Sequence, residues 1–200
     1  MDQHTTLLIR HHRWGALAVV AFGLMNQPVA MDYLHSRMFT HMFVVIAGLL
    51  VLGYVISGSV YGSILSDGSR ADKWNTLGVN SWLIVTFSTA FWMMPVMMDM
   101  VVEATTLKWI RNFSLLLAGY MLRISVLRAH PFISLFFAWN ILTMTLIQGI
   151  LYLNLPLRVC NAYLLSDQED TGKMLVMVSV ILGLALTTKQ YQTSKKAAAN

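Results

Sequence analysis

The side chains with the most chemical capacity lie in two short stretches. Leu34-His35-Ser36-Arg37-Met38-Phe39-Thr40-His41-Met42 carries two imidazoles and two thioethers. Phe91-Trp92-Met93-Met94-Pro95-Val96-Met97-Met98-Asp99-Met100 carries five thioethers and a carboxylate. Thioether sulfur is soft, and together with imidazole it selects Cu(I) over hard cations. On a helix, His41 follows Met38 by three residues and shares its face. Met93, Met97 and Met100 form one stripe, and Met94 and Met98 form the neighbouring one. A Cu(I) site would therefore centre on His41, with Met93 and Met97 as the first further ligands. Met38, Met42, Met94, Met98 and Asp99 complete the candidate set. The same residues have a second reading. Methionine packs well into irregular gaps between helices, and a histidine inside a bundle can serve as an interhelical hydrogen-bonding group. The spacing leaves both readings open.

Little else in the chain points to chemistry. The single Cys160 excludes an internal disulfide framework and Cys-rich zinc or iron–sulfur sites. There is no phosphate-binding glycine loop, no G-x-S-x-G, no H-E-x-x-H, and no pair of histidines in one span suited to bis-His haem. Nucleotide, hydrolase, haem and quinone readings thus have no motif behind them, and the chain is expected not to be an enzyme. Asn26, Gln27, Asn140 and Gln148 read as interhelical hydrogen-bonding groups.

The elements that position these residues follow from composition. Of 200 residues, 56% are hydrophobic and 12% charged. A soluble domain carries about 25% charged residues, so this chain cannot cover a water-facing surface. The net charge of +5 is spread thinly, which argues against a nucleic-acid partner. Six apolar stretches are long enough to be membrane helices, which need roughly 20 residues each. They run from about Trp14 to Ala30, Met38 to Ile64, Val79 to Val102, Trp109 to Leu127, Pro131 to Leu153 and Lys173 to Thr188. Short connectors with turn signals join them, such as Ser66-Asp67-Gly68-Ser69 and Asp170-Thr171-Gly172. The expected fold is all-α, a polytopic six-transmembrane-helix bundle. It forms a single domain over 1–200, with short tails at about 1–13 and 189–200. The first apolar run lacks a cleavage-site pattern and is expected to be retained. Pro95 predicts a kink in the third span, because its ring removes a backbone hydrogen bond and leaves the Phe91 carbonyl without its helical donor. Gly48, Gly53, Gly58 and Gly62 predict close helix packing along the second span.

With six spans both termini lie on one side. Nine basic residues fall on that side (Arg10, Arg13, Arg70, Lys73, Arg123, Arg128, Lys189, Lys195 and Lys196). Five fall opposite (Arg37, Lys108, Arg111, Arg158 and Lys173). The positive-inside rule then predicts a multi-pass protein of the cell membrane with both termini cytoplasmic.

The order of four segments resembles the CtaG-type cytochrome c oxidase assembly factors. Arg37-Met38-Phe39-Thr40-His41-Met42 is similar to that family's H-M-x-x-H-M helix opening. Phe91-Trp92-Met93-Met94-Pro95 through Asp99 is similar to F-W-H-x-P-x-x-x-D. Arg111-Asn112-Phe113-Ser114 through Gly119 is similar to E-H-x-S-F-L-L-A-G, and Asp167-Gln168 through Leu175 to D-Q-x-x-G-x-x-M-W. The likeness covers most of residues 35–180 and is closest to small, divergent, archaeal-like members. It implies an extracytoplasmic site at these helix ends and a part in copper delivery to, or assembly of, a membrane metallo-oxidase of the respiratory chain. In this register the family's four histidines fall on Arg37, His41, Met93 and Asn112, so one imidazole is kept. The alternative is therefore a non-catalytic accessory subunit of a membrane oxidase or monooxygenase complex.

Overall fold

The computed structural model describes residues 3–64, 75 and 77–198; the side chains of 3–12, 60–64, 193, 194 and 196–198 are outside that description. The Ser66–Ser69 turn, Arg70 and Lys73 lie outside it too. The described residues are all-α, with no strand. The helices are α1 Gln3–Met25, α2 Pro28–His35, α3 Ala47–Ile64, α4 Val79–Met93, α5 Pro95–Glu103, α6 Thr105–Arg128, α7 Pro131–Asn154 and α8 Leu165–Ala198. A π-helical segment, Thr40–Ile46, runs straight into α3. Four helices are long and apolar enough to cross a membrane: the one through Thr40–Ser59, then α6, α7 and α8. The count rises to six if α1 with α2, and α4 with α5, are each one broken span.

Both breaks have a proline at the first residue of the second half, where its missing N–H costs nothing. The bend is 77° between α1 and α2 and 70° between α4 and α5. The kink at Pro95 is therefore a full break. Met94 turns to extended backbone, and its N–H reaches the Phe91 carbonyl at 3.3 Å. The Met93 carbonyl is taken by the side chain of Gln148 on α7, at 2.7 Å. The first apolar stretch breaks in the same manner at Asn26-Gln27, short of its expected end at Ala30.

Neighbours on the two sides of each interface give the helix directions. Gly15 of α1 faces Ser59, and Gly48 faces Met25, so α1 and α3 are antiparallel. Gly53 faces Leu116 and Gly58 faces Arg123, so α3 and α6 run parallel. Ser81 bonds to Met121 and Trp92 to Ser114, making α4 antiparallel to α6. Trp82 stacks on Phe137 and Gln148 meets Met93, making α4 parallel to α7. Gly149 faces Gly172, and Trp139 faces Gly183 further along, so α7 and α8 are antiparallel. These directions alternate along the chain, and they bring His35, His41, Met93, Arg111 and the 155–164 loop to one end of the bundle.

Two glycine crossings set the helix separations. A Cβ on Gly53 would overlap the Leu116 carbonyl, and one on Gly119 would overlap the Leu50 carbonyl. The two backbones thus touch, as small residues permit between apolar helices. At the second crossing a Gly172 Cβ would lie 3.0 Å from the Gly149 carbonyl. Asp170-Thr171-Gly172 is therefore no turn. It lies inside α8, where glycine serves close approach, and the helix starts at Leu165 instead of Lys173.

Gly53→Ala should cost about 3 kcal/mol or more, because backbone stands where the methyl must go. Gly23→Ala meets nothing within 4 Å and should be neutral. Elution profiles in detergent check this: Gly53→Ala should aggregate while Gly23→Ala elutes as wild type. Equal behaviour would contradict the crossing.

Candidate functional site

The chemistry-bearing end of the bundle is organised around His41. The π-helical turn widens the helix to more than four residues per turn. As a result His41, Met42, Val45 and Ile46 all face inward and are buried. The His41 side chain is fully enclosed. Its Nε2 receives a hydrogen bond from a terminal guanidinium nitrogen of Arg111 at 2.7 Å. Its Nδ1 stands 2.6 Å from the Tyr163 hydroxyl. Guanidinium only donates, so Nε2 holds the lone pair, and neutral His41 carries its proton on Nδ1 and donates it to Tyr163.

Arg111 is fully buried as well. The fourth-span stretch starting at Trp109 already enclosed it, yet its charge counted it among the outer flanking cations. The structure corrects that placement: Arg111 is the centre of the network. Its Nε and second terminal nitrogen both donate to the Asn112 carbonyl oxygen, at 3.0 and 2.7 Å. Asn112 donates its side-chain amide to Asn26 in the α1–α2 break, at 2.7 Å, and Asn26 donates to the Phe22 carbonyl. A buried charge is tolerated only when hydrogen-bonded, and here every described partner is neutral. Lysine could not replace this fork, since an ammonium lacks the planar geometry that serves two acceptors at once.

His35 sits beside this network, its ring 4.9 Å from that of His41 in an edge-on arrangement. Its Nδ1 contacts the Met31 carbonyl, which accepts only, so the proton is on Nδ1. Its Nε2 is buried with no hydrogen-bond partner among the described residues.

The remaining candidates divide. Met38, Met42, Met93 and Met98 are buried in one core cluster with Trp92, Leu115, Tyr152, Cys160 and Tyr163. Met97 packs against its edge. Met94 is 44% exposed and turns away toward α7. Asp99 is committed to backbone: its two oxygens accept from the N–H groups of Asn161 and Ala162, at 2.9 and 3.1 Å. Among the described residues no three His, Cys, Asp or Glu side chains converge as a metal site. In this arrangement, Cu(I) on His41 requires displacing either Arg111 or Tyr163.

Tyr163 arrives on the loop between α7 and α8, which is tied down as a cover. Asp99 holds its middle. Gln168 accepts from the Val159 N–H at 2.8 Å and donates to the Tyr152 and Leu157 carbonyls. Burial, with the Asp99 carboxylate nearby, pushes the Cys160 thiol up to about 12. Arg111 and Tyr163 were missed in sequence. The available signal for Arg111 was its position beyond Trp109, past the boundary where a flanking cation belongs. For Tyr163 there was none.

Comparison with known protein families, with curated proteins and with solved structures finds no match to this chain.

Thiolate is the reactive form, and at pH 8 Cys160 is almost wholly protonated and enclosed. Maleimide should therefore leave it unlabelled in the folded protein. Asp99→Ala frees two loop N–H groups and should make labelling several-fold faster. Wild-type labelling as fast as in denaturant would contradict a sealed loop.

Proposed function

We propose that this chain is a six-span protein of the cell membrane, with both termini cytoplasmic, that acts as a non-catalytic accessory or assembly partner of a membrane metallo-oxidase. The observation that carries this reading is the guanidinium of Arg111 on Nε2 of His41. A cation occupies the lone pair that a metal would use. The CtaG-like segments around it are brought to one end of the bundle, which supports a common architecture, while the donor set favours a site filled by protein. The alternation of helix direction supports counting each broken pair as one crossing. With the buried Arg111 set aside, five outer cations less one leaves four, and the nine-to-four distribution of basic residues supports the orientation.

Copper delivery is the second reading. The free Nε2 of His35 favours it, together with Met38 and Met42 in the adjoining core. Copper content decides between the two. Protein purified from copper-replete membranes should carry far less than one copper per chain and should co-purify with oxidase subunits. Arg111→Met should release the His41 lone pair beside several thioethers and create Cu(I) binding, read by competition with a chromogenic chelator. Stoichiometric copper in the wild type would overturn the accessory reading in favour of delivery.

The topology has its own test. Asp170 is exposed at the proposed outer end and Lys195 is exposed at the other. A membrane-impermeant thiol reagent should label Asp170→Cys in sealed cells and Lys195→Cys only after permeabilisation. The reverse pattern would invert the orientation.

A further inference from the structure

Helices α4 and α7 run side by side, with ties at two levels. Near one end Trp82 stacks on Phe137, with ring centroids 5.6 Å apart. Near the other, Gln148 donates to the Met93 carbonyl and to the Tyr152 hydroxyl, both at 2.7 Å. Between these ties lies a cleft of about 710 Å³. That is within the roughly 300–1,000 Å³ of small-molecule sites. Its α4 wall presents the rings of Phe87 and Phe91, which are 71% and 43% exposed. Its α7 wall presents Asn140, Thr143 and Ile147, at the spacing of one helix face.

Asn140 is the residue that needs explaining. It was expected to bond between helices, but it is exposed, faces this cleft, and has no hydrogen-bond partner among the described residues. It is the tenth of the 24 residues of α7. That puts it about 14 Å along the helix at 1.5 Å per residue, near mid-membrane. A carboxamide facing hydrocarbon there lacks both its donors' and its acceptor's partners, which is costly.

We propose that the cleft binds a lipid-soluble molecule with a flat, carbonyl-bearing head and an apolar tail, of the quinone type. The head lies against Phe87 and Phe91 and accepts a hydrogen bond from the Asn140 amide, with the Thr143 hydroxyl alongside. The tail leaves through the side open to lipid. Size decides against a partner helix. From Phe137 to Gln148 the window is about 16 Å long, whereas a spanning helix is about 30 Å. A plain acyl chain would leave Asn140 unbonded. This inference rests on α4 and α7 lying in the membrane, not on the oxidase partnership.

The test uses the full chain in detergent micelles, titrated with decylubiquinone and, in parallel, with decylbenzene, which has the tail but no carbonyl. Quenching of tryptophan fluorescence by decylubiquinone should saturate, since Trp82 stands five residues before Phe87 on the same helix, stacked on Phe137. Asn140→Leu should weaken that binding about tenfold, the loss expected for one unmade hydrogen bond. Ala90→Phe, which fills the cleft, should abolish it. Decylbenzene should not compete. Absence of saturable quenching, or binding unaffected by Asn140→Leu and equalled by decylbenzene, would overturn the proposal. So would Asn140→Leu leaving quinone binding intact while dispersing a complex with another membrane subunit, because the occupant would then be a helix. Extraction of each variant from alkaline-washed membranes checks the membrane placement separately.

Discussion

A guanidinium buried without a carboxylate is the constraint on which one end of this molecule depends. Removing such a group from water costs several kcal/mol even after relaxation. Arg111 offsets that cost only by donating to His41 and, twice, to Asn112. Each acceptor is on a different helix or is itself held by one. Asn112 is held by Asn26 in the α1–α2 break, and His41 by Tyr163 from the α7–α8 loop. One cation thereby fixes the relative positions of α1, α3, α6 and that loop. The arrangement also dictates the chemistry available. A ring whose two nitrogens are both engaged is a structural group, and a ligand only after something is displaced.

The interruptions of helical geometry serve the same end. The π-helical turn puts His41 and Met42 on the core side together with Val45 and Ile46. The break at Asn26-Gln27 places Asn26 within reach of Asn112. The break at Met94-Pro95 exposes the Met93 carbonyl to Gln148 and swings α5 so that Asp99 can hold the covering loop. Freed backbone groups inside an apolar bundle must find partners: at the Pro95 break Gln148 of α7 supplies one, and at the Pro28 break the Asn26 side chain and the Gln27 N–H do so locally. At the opposite end the Arg123 guanidinium lies against Gly58 and 5.1 Å from the Tyr54 ring centre. That side chain is stacked within the bundle, so it is more than a flanking anchor.

The long apolar helices were legible because each draws on a continuous apolar run, and the Pro95 break because proline removes a specific bond. The close packing of α3 was legible from its glycines, although Gly53 is the one whose backbone meets α6. Gly172 looked like a turn residue because glycine serves both turns and tight crossings, and sequence alone does not separate the two. Among the candidate ligands, the spacing puts Met38 on one face with His41, and both side chains are fully buried. It could not show that Asp99 is used up by Asn161 and Ala162, or that Met94 faces α7. Arg111 was hidden by its charge. A basic residue near a span end reads as a flank, and only the structure supplies the acceptor 70 residues away in sequence, His41, which Tyr163 holds in turn.

The protonation pattern of His41 tests this account most directly. Selective ¹⁵N labelling of histidine, with the His41 signal assigned by its loss in His41→Gln, reports which ring nitrogen carries the proton. The account predicts a neutral ring with hydrogen on Nδ1 and Nε2 as a hydrogen-bond acceptor, unchanged by added Cu(I). A ring protonated on Nε2, or a signal that shifts stoichiometrically with Cu(I), would contradict it.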